Sequence, residues 1–375
     1  MLVLGPVGAG AARADAQPHV LFHLQDPRID EASGLGVGMR SKGIDYVEND
    51  SGDTNRFFAL DARTGATAAV VTVPDATNVD WEDLQVAPDA AGTPSVWLAD
   101  IGDNDSERAE VQVYRVPEPH VRTSDRDVAI TSARPAVWRL RYPDGPTDAE
   151  SLAVTPAGRA YVVTKNVFGQ SAVYAVPARP DAHRVRTLTR VGTIRFAPTP
   201  GSSPVGAAGS VLATSAAISR NGLLLAVRTY VYADVWRLHP HGASDGVAAA
   251  LRGSPTRVKL PRQRQGEGLA IAGGRLLLDS EGVGSAVKSV RLPAGLRGLA
   301  HAPISSVASP VTTAAPATAT PATTAPDSPT PTRSPSTSHG SKYGGLSVLV
   351  VVVLLGAVLL LGRRARRYGD GDGRG

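Results

Sequence analysis

Glu82-Asp-Leu84 opens a run of strand-forming residues, and four similar phrases open runs elsewhere in the chain. They are Glu31-Ala-Ser-Gly-Leu35, Glu150-Ser-Leu152, Ser215-Ala-Ala-Ile218 and Glu267-Gly-Leu269, and successive copies start 51, 68, 65 and 52 residues apart. A repeat of roughly 40 to 60 residues built from short strands is typical of a β-propeller, in which each repeat forms one blade. The repeat therefore predicts an all-β fold.

Further apolar runs bounded by turn residues follow each phrase, as expected for buried strands. Second strands are predicted within 43–52, 95–104, 159–166, 223–230 and 275–282, third strands within 56–61, 111–116, 172–176, 234–238 and 286–291, and fourth strands within 68–73, 136–141, 191–196 and 256–260. The fifth copy has no clear fourth strand of its own. A propeller must protect its terminal edges, so the run from His19 to Leu24 is expected to supply it. We predict one propeller over residues 18–300 with five blades, or six if the long second and third spacings contain a short extra blade.

Composition is consistent with a secreted domain. The 375 residues contain no cysteine, so disulfide and thiolate chemistry are excluded. Of the net charge of +5, five arginines against two aspartates after residue 362 account for +3. The remaining +2 is small for a body of this size, so we expect no nucleic-acid partner.

The C-terminal region predicts an anchor. Residues 305–341 consist mostly of Ser, Thr, Pro and Ala, which indicates an extended stalk. Residues 344–362 carry no charge and are just long enough to cross a bilayer as a helix. Four arginines follow at once within residues 363–367, and the positive-inside rule places the segment 363–375 in the cytoplasm. The chain is thus expected to be a single-pass cell-membrane protein with its propeller on the extracytoplasmic side.

The N-terminal segment 1–16 is apolar and ends in small residues, as in a signal peptide, but it lacks a basic start. It is interpreted as a weak or truncated signal peptide. Secretion of the body is indicated independently by the C-terminal topology.

Candidate functional residues lie on the repeat. The innermost strands of a propeller line a central channel, so Glu31, Glu82, Glu150 and Glu267 are expected to converge around one axis. Converging buried carboxylates cannot all stay ionised without a compensating cation, and Ca²⁺ or another hard divalent ion is the natural partner. These four acids are the predicted metal ligands, with Glu82 and Glu150 as candidate catalytic carboxylates. The fourth copy has Ser215 instead, so the ring of acids is incomplete.

A second ring of polar residues is expected at the channel mouth, where the second strands end. It comprises Asn49, Asp50, Asp53, Asp100, Asp103, Asn104, Lys165, Asn166, Arg228 and Glu281. Asp, Asn and Gly are also the ordinary residues of tight turns. For any one of these residues, turn chemistry is the simpler interpretation.

Several motifs resemble an uncharacterised family of secreted bacterial β-propellers that are WD-repeat-like. They are Glu48-Asn-Asp-Ser-Gly52, Asp80-Trp-Glu-Asp-Leu84, Ala99-Asp-Ile-Gly-Asp-Asn104 and Tyr114-Arg-Val-Pro-Glu-Pro119. The chain is also distantly similar to the esterase-like phytase and gluconolactonase groups, and that resemblance implies channel acids holding a divalent metal. The metal-binding acids would map onto Glu31, Glu82, Glu150 and Glu267.

Two functions remain open from the sequence. The first is a membrane-anchored binding module for a small molecule, glycan or protein ligand. The second is a metal-dependent hydrolase of a lactone or phosphoester, in which the ion activates water and a channel carboxylate acts as base. An open metal site at the channel mouth, as against a plugged channel, would favour the second.

Overall fold

A computed structural model describes residues 18–199 and 206–303 of the chain. Their strands, in chain order, are β1 (His19–His23), β2 (Ala32–Val37), β3 (Ile44–Asn49), β4 (Arg56–Asp61), β5 (Thr67–Thr72), β6 (Trp81–Pro88), β7 (Pro94–Asp100), β8 (Val111–Pro117), β9 (Val128–Thr131), β10 (Ala136–Arg141), β11 (Ala149–Val154), β12 (Ala160–Thr164), β13 (Gln170–Ala175), β14 (Asp181–Thr187), β15 (Thr189–Arg195), β16 (Ala213–Ile218), β17 (Leu224–Thr229), β18 (Tyr232–Arg237), β19 (Thr256–Lys259), β20 (Leu269–Ala272), β21 (Arg275–Leu278) and β22 (Ala286–Arg291). Helical turns are short: a 3₁₀ segment at Gly206–Ser210, α1 (Val247–Ala250) and α2 (Ala294–Ala300).

Within these residues the strands form five sheets, each a blade. Blade 1 begins with β2, blade 2 with β6, blade 3 with β11, blade 4 with β16 and blade 5 with β20. Each blade is an antiparallel meander whose first strand is nearly all buried, as expected for the strand next to the axis. The predicted five-bladed propeller is confirmed.

The chain closes the ring with its first strand. β1 pairs antiparallel with β22, and His19 lies opposite Ser289. Blade 5 therefore has three strands from the end of the propeller and one from its start. This confirms the role predicted for the run that begins at His19.

Two blades carry a fifth strand that the sequence did not predict. β9 pairs parallel with β5 at the edge of blade 1, and β14 pairs parallel with β10 at the edge of blade 2. Each of these strands lies in the connection between the third and fourth strands of the next blade. The two wide repeat spacings therefore accommodate edge strands and loops, and a sixth blade is absent from the described residues.

The apolar core is divided into five clusters, one at each junction between neighbouring blades. At the junction of blades 2 and 3, Trp97 stacks on Trp138 with ring centroids 5.2 Å apart. Phe22 of β1 packs into the cluster between blades 5 and 1. A closed ring of apolar junctions stabilises the fold without any cysteine.

The predictions for residues 1–16, 305–341, 344–362 and 363–375 lie outside the described residues. In the part of the chain that is described, no helix is both long and apolar enough to cross a bilayer.

Candidate functional site

A β-bulge at the start of the inner strands sets the register of the site. The register shifts between Trp81 and Asp83 in β6, between Ala149 and Ser151 in β11, and between Ala213 and Ser215 in β16. The extra residues are Glu82, Glu150 and Thr214. A bulge re-aims the side chain that it inserts, and here it turns these residues toward the mouth of the channel.

The structure aligns the five inner strands differently from the sequence repeats. Ser33 of blade 1 donates a hydrogen bond to the Glu82 carbonyl at 2.8 Å, and Thr214 of blade 4 donates one to the Glu267 carbonyl at 3.2 Å. Both hydroxyls reach the same carbonyl of the next blade, so they occupy equivalent positions. Ser33 and Thr214 thus occupy, in blades 1 and 4, the position that glutamate occupies in the other three blades (Glu82, Glu150 and Glu267). Glu31 and Ser215 do not occupy it.

Glu31 belongs to a different row of residues, which stands two positions before the glutamate row in each blade. In that row its equivalents are Asp80 in blade 2 and Asp148 in blade 3, which stand two residues before Glu82 and Glu150. The acids of the mouth therefore form two staggered rows. The sequence pattern had merged them into one.

Asp83 fills the axis beneath these rows. It is fully buried, and its Oδ2 accepts hydrogen bonds from the Leu152 amide at 2.8 Å, the Ser215 hydroxyl at 3.0 Å and the Ala216 amide at 3.2 Å. One carboxyl group thus joins blade 2 to blades 3 and 4 across the centre. This bridge blocks passage along the axis at this level, so the acidic cluster is reached from the mouth.

Further charged groups surround the plug. Glu48 and Asp279 are fully buried, and so is the Arg228 guanidinium, which donates to the carbonyls of Gly268 and Asp279. Burial, and after it the nearby carboxylates Asp50, Asp83 and Asp279, raises the pKa of Glu48 well above its ordinary value. Burial likewise raises the pKa of Asp279 to about 7, although Arg228 opposes the change.

The mouth contains two overlapping groups of three carboxylates. One is Asp50, Asp80 and Glu82, and the other is Glu82, Asp148 and Glu150. In each group the carboxylate oxygens lie within 4.8 Å of one another. Oxygens bound to Ca²⁺ at roughly 2.4 Å lie at most about twice that distance apart, so either group can hold a divalent ion. Glu82 is common to both.

Glu82 is the central residue of the site. It is only 3% exposed. Gly102 lies against it so closely that a Cβ there would overlap the carboxylates of Glu82 and Asp80. Burial, and then the charges of Asp50, Asp80 and Asp148, raises the pKa of Glu82 well above its ordinary value. The charge of Lys165 opposes this rise, and an ionised carboxylate here requires such a cation.

Blade 5 completes the mouth. Burial, and then the charges of Glu267 and Asp50, raises the pKa of Glu281 to about 9. Gln265 donates a hydrogen bond to Glu281. Burial and the neighbouring Glu267 raise the pKa of Tyr230 well above its ordinary value. The mouth is therefore a strongly acidic, largely desolvated surface.

Most of the predicted outer ring forms turns. Asn49 donates to the Arg28 carbonyl and to Asp53, which also accepts from Arg56. Asp103 accepts from the amides of two later residues in its loop, Asn166 accepts from the Phe168 amide, and Asn104 is exposed. Asp100 accepts from Arg108 and from the Asp80 amide and so supports the loop that carries Asp80. Turn chemistry describes these residues, whereas Asp50, Lys165 and Glu281 face the acidic cluster.

Sequence reasoning missed Asp80, Asp148 and Tyr230. A signal for the first two was present, since blades 2 and 3 both read Asp-x-Glu, as Asp80-Trp-Glu82 and Asp148-Ala-Glu150. Tyr230 follows β17 directly and had no such repeat to mark it.

No protein-family model and no curated protein sequence matches this chain. Several solved structures resemble its fold. An aldose sugar dehydrogenase from Streptomyces coelicolor, with bound PQQ, is 11% identical over 73% of this chain and 97% of its own, with a TM-score of 0.39. A chain of a nidogen/laminin complex (11% identity, 67% and 73% coverage, TM-score 0.37) and the Cps50 (Swd1) propeller of Myceliophteria thermophila (11%, 70% and 74%, 0.31) are similar. These proteins contain propellers, the class of fold established above from the strand pairing.

Proposed function

We propose that this protein is a membrane-anchored, extracytoplasmic binding module that holds a divalent cation at the axial mouth and binds its ligand through that ion. The observation that carries the proposal is Glu82, a buried carboxylate that belongs to both groups of acids. A buried charge is retained only when it is paired or coordinates a metal. The anchor rests on the sequence of residues 344–375.

The number of protein ligands indicates the kind of molecule bound. Ca²⁺ takes six to eight oxygen ligands, and three carboxylates that each bind through one or two oxygens leave coordination positions for other oxygens. A ligand rich in hydroxyl or carboxylate groups, such as a glycan, supplies them. The plug at Asp83 limits such a ligand to the mouth, so contact is made at the end of the propeller.

Cation binding is tested by thermal unfolding of the purified protein after chelation, with Ca²⁺ then added. An ion that binds only the folded state stabilises it by about 2.7 kcal/mol at a hundredfold excess over Kd, which corresponds to a rise of several degrees in Tm for a domain of this size. Glu82→Gln should abolish the rise, and Asp105→Asn, which removes an exposed charge from the nearby loop, should leave it intact. A wild-type Tm that does not change with Ca²⁺, Mg²⁺ or Mn²⁺ contradicts the proposal.

The same purified wild-type and variant proteins also test the hydrolase alternative. Cation-dependent turnover of lactone or phosphoester substrates that disappears in Glu82→Gln would replace binding by catalysis as the function of the mouth. Glycan-array binding that depends on the cation, without turnover, supports the binding module.

A further inference from the structure

The mouth continues into a cleft in blade 5 with a volume of about 220 Å³. Its walls are the segment 260–268 before β20, the segment 279–285 between β21 and β22, and the start of β22. The residues that line it include Gln263, Arg264, Glu281, Val283 and Lys288. Glu281 also lies beside Asp50 and Glu267 of the acidic cluster. A ligand at the mouth can therefore extend into the cleft.

Hydrogen bonds fix the wall that carries Arg264. The Gln263 side chain accepts a hydrogen bond from the buried Arg228 guanidinium at 2.7 Å, and it donates one at 2.8 Å to the backbone carbonyl just after β21. The Glu281 amide donates to the Gln265 carbonyl at 2.9 Å, which joins the two segments. Arg264 lies between two residues that are held in this way, so its backbone has a defined position.

Two cationic side chains lie in the cleft. The exposed Arg264 guanidinium reaches toward the facing segment, where its Nη1 is 4.0 Å from the position that a Cβ on Gly282 would take. The half-buried Lys288 donates from its Nζ to the Arg262 carbonyl at 3.0 Å. That bond uses one of the three hydrogens of the ammonium group, so Lys288 is positioned and keeps donors for a ligand.

These two cations differ from the others near the mouth in their pairing. Arg56, Arg108 and Lys165 stand at or beside the loops that follow the second strands of blades 1–3, and each forms an ion pair with a carboxylate. Within residues 18–199 and 206–303, Arg264 and Lys288 form no ion pair. Both charges are therefore available to an anionic group of a ligand.

We propose that this cleft is a subsite for the carboxylate of an acidic sugar, so that the glycan bound at the mouth is one that contains uronic acid. The inference rests on the proposed function and adds the class of ligand. Arginine presents two parallel N–H donors that match a carboxylate, and lysine adds a compact positive charge. Val283 is 63% exposed on the same cleft and supplies an apolar contact for the C–H groups of the sugar ring. A neutral sugar leaves both cations without an anionic partner, so the cleft discriminates by charge.

The test is binding of the purified full-length protein, with Ca²⁺ in excess, to an array of uronate-containing, sulfated and neutral glycans. Wild type should bind uronate-containing glycans in preference to the other two classes. The double variant Arg264→Gln, Lys288→Gln should bind them at least about tenfold more weakly. Arg264→Lys keeps the charge but not the paired donors, so it should lose less affinity than Arg264→Gln.

The matched control is Arg291→Gln, which removes an exposed cation from the other end of β22, outside the cleft, and should leave glycan binding unchanged. Thermal unfolding shows that the double variant is folded, because it should keep the wild-type rise in Tm with Ca²⁺. A preference for neutral or sulfated glycans, or equal affinity in wild type and a folded double variant, overturns the inference. Absence of glycan binding by a wild type whose Tm still rises with Ca²⁺ also overturns it and leaves the cation site standing. A wild-type Tm that does not respond to divalent ions refutes the proposed function itself.

Discussion

Asp45→Asn should stabilise the protein at neutral pH, although it replaces a buried residue of an inner blade strand. Asp45 lies near the start of β3, the second strand of blade 1, and is 4% exposed. Burial raises the pKa of its carboxyl group from 3.8 to about 7, with Arg220 opposing the change. Since one pKa unit corresponds to about 1.4 kcal/mol, ionising Asp45 costs the folded state up to about 4 kcal/mol.

The direction in which this stability difference changes with pH follows from the linkage between protonation and folding. A carboxyl group whose pKa is higher in the folded state stabilises the fold fully below its unfolded pKa of about 4, and that contribution is lost as the pH rises toward 7. Asparagine has no proton to lose. Asp45→Asn should therefore match wild type near pH 4 and exceed it at pH 8, by at least about 1 kcal/mol and at most about 4.

The assay is chemical denaturation of both proteins at several pH values between 4 and 8. Asp61→Asn in the neighbouring strand β4 is the control, because Asp61 accepts a hydrogen bond from the Arg63 amide at 3.0 Å, so its loss should not stabilise the protein. A difference between Asp45→Asn and wild type that is equal at pH 4 and pH 8, or a loss of stability at pH 8, refutes the reasoning.

Three further predictions concern the core and the axis. Trp97→Ala removes a fully buried ring stacked on Trp138 and should cost about 3–5 kcal/mol by chemical denaturation; a loss below 1 kcal/mol would contradict the role of the blade junctions. Gly34→Ala places a Cβ against the Leu84 amide nitrogen of the next blade and should prevent soluble expression, so a protein with wild-type Tm would show that the inner strands can separate. Asp83→Ala leaves two backbone amides and one hydroxyl without their acceptor and should cost about 2–5 kcal/mol, a loss that added divalent ions should not restore.

The sequence predicted the blades well because their strands are buried on both faces. β3, β11 and β17 are buried at every residue, so each appears as a continuous apolar run between turn signals. β14 could not be found in this way, since its residues are mostly exposed. Such an edge strand is held by backbone hydrogen bonds and has little apolar pattern.

The site was predicted less completely, for a geometric reason. Glu82, Glu150 and Glu267 were selected as equivalent, and the structure places them so. Glu31 was grouped with them because an acid opens four of the five phrases, but it stands four residues before Leu35, whereas Glu82 stands two before Leu84. Lys165 pairs with Glu150 across neighbouring strands of blade 3, and no spacing in the sequence expresses that pair.

The closure of blade 5 by β1 also governs the order of folding. Strand β22 ends at residue 291, so the two strands meet only after nearly the whole propeller has been synthesised. Contacts of such large sequence separation form slowly. Until then Glu267 and Glu281 are not fixed beside Asp50 and Glu82, so the repulsion between the carboxylates of blade 5 and those of blades 1 and 2 is not yet incurred. Closure of the ring is therefore expected to add the carboxylates of blade 5 to a cluster that blades 1 to 3 already form.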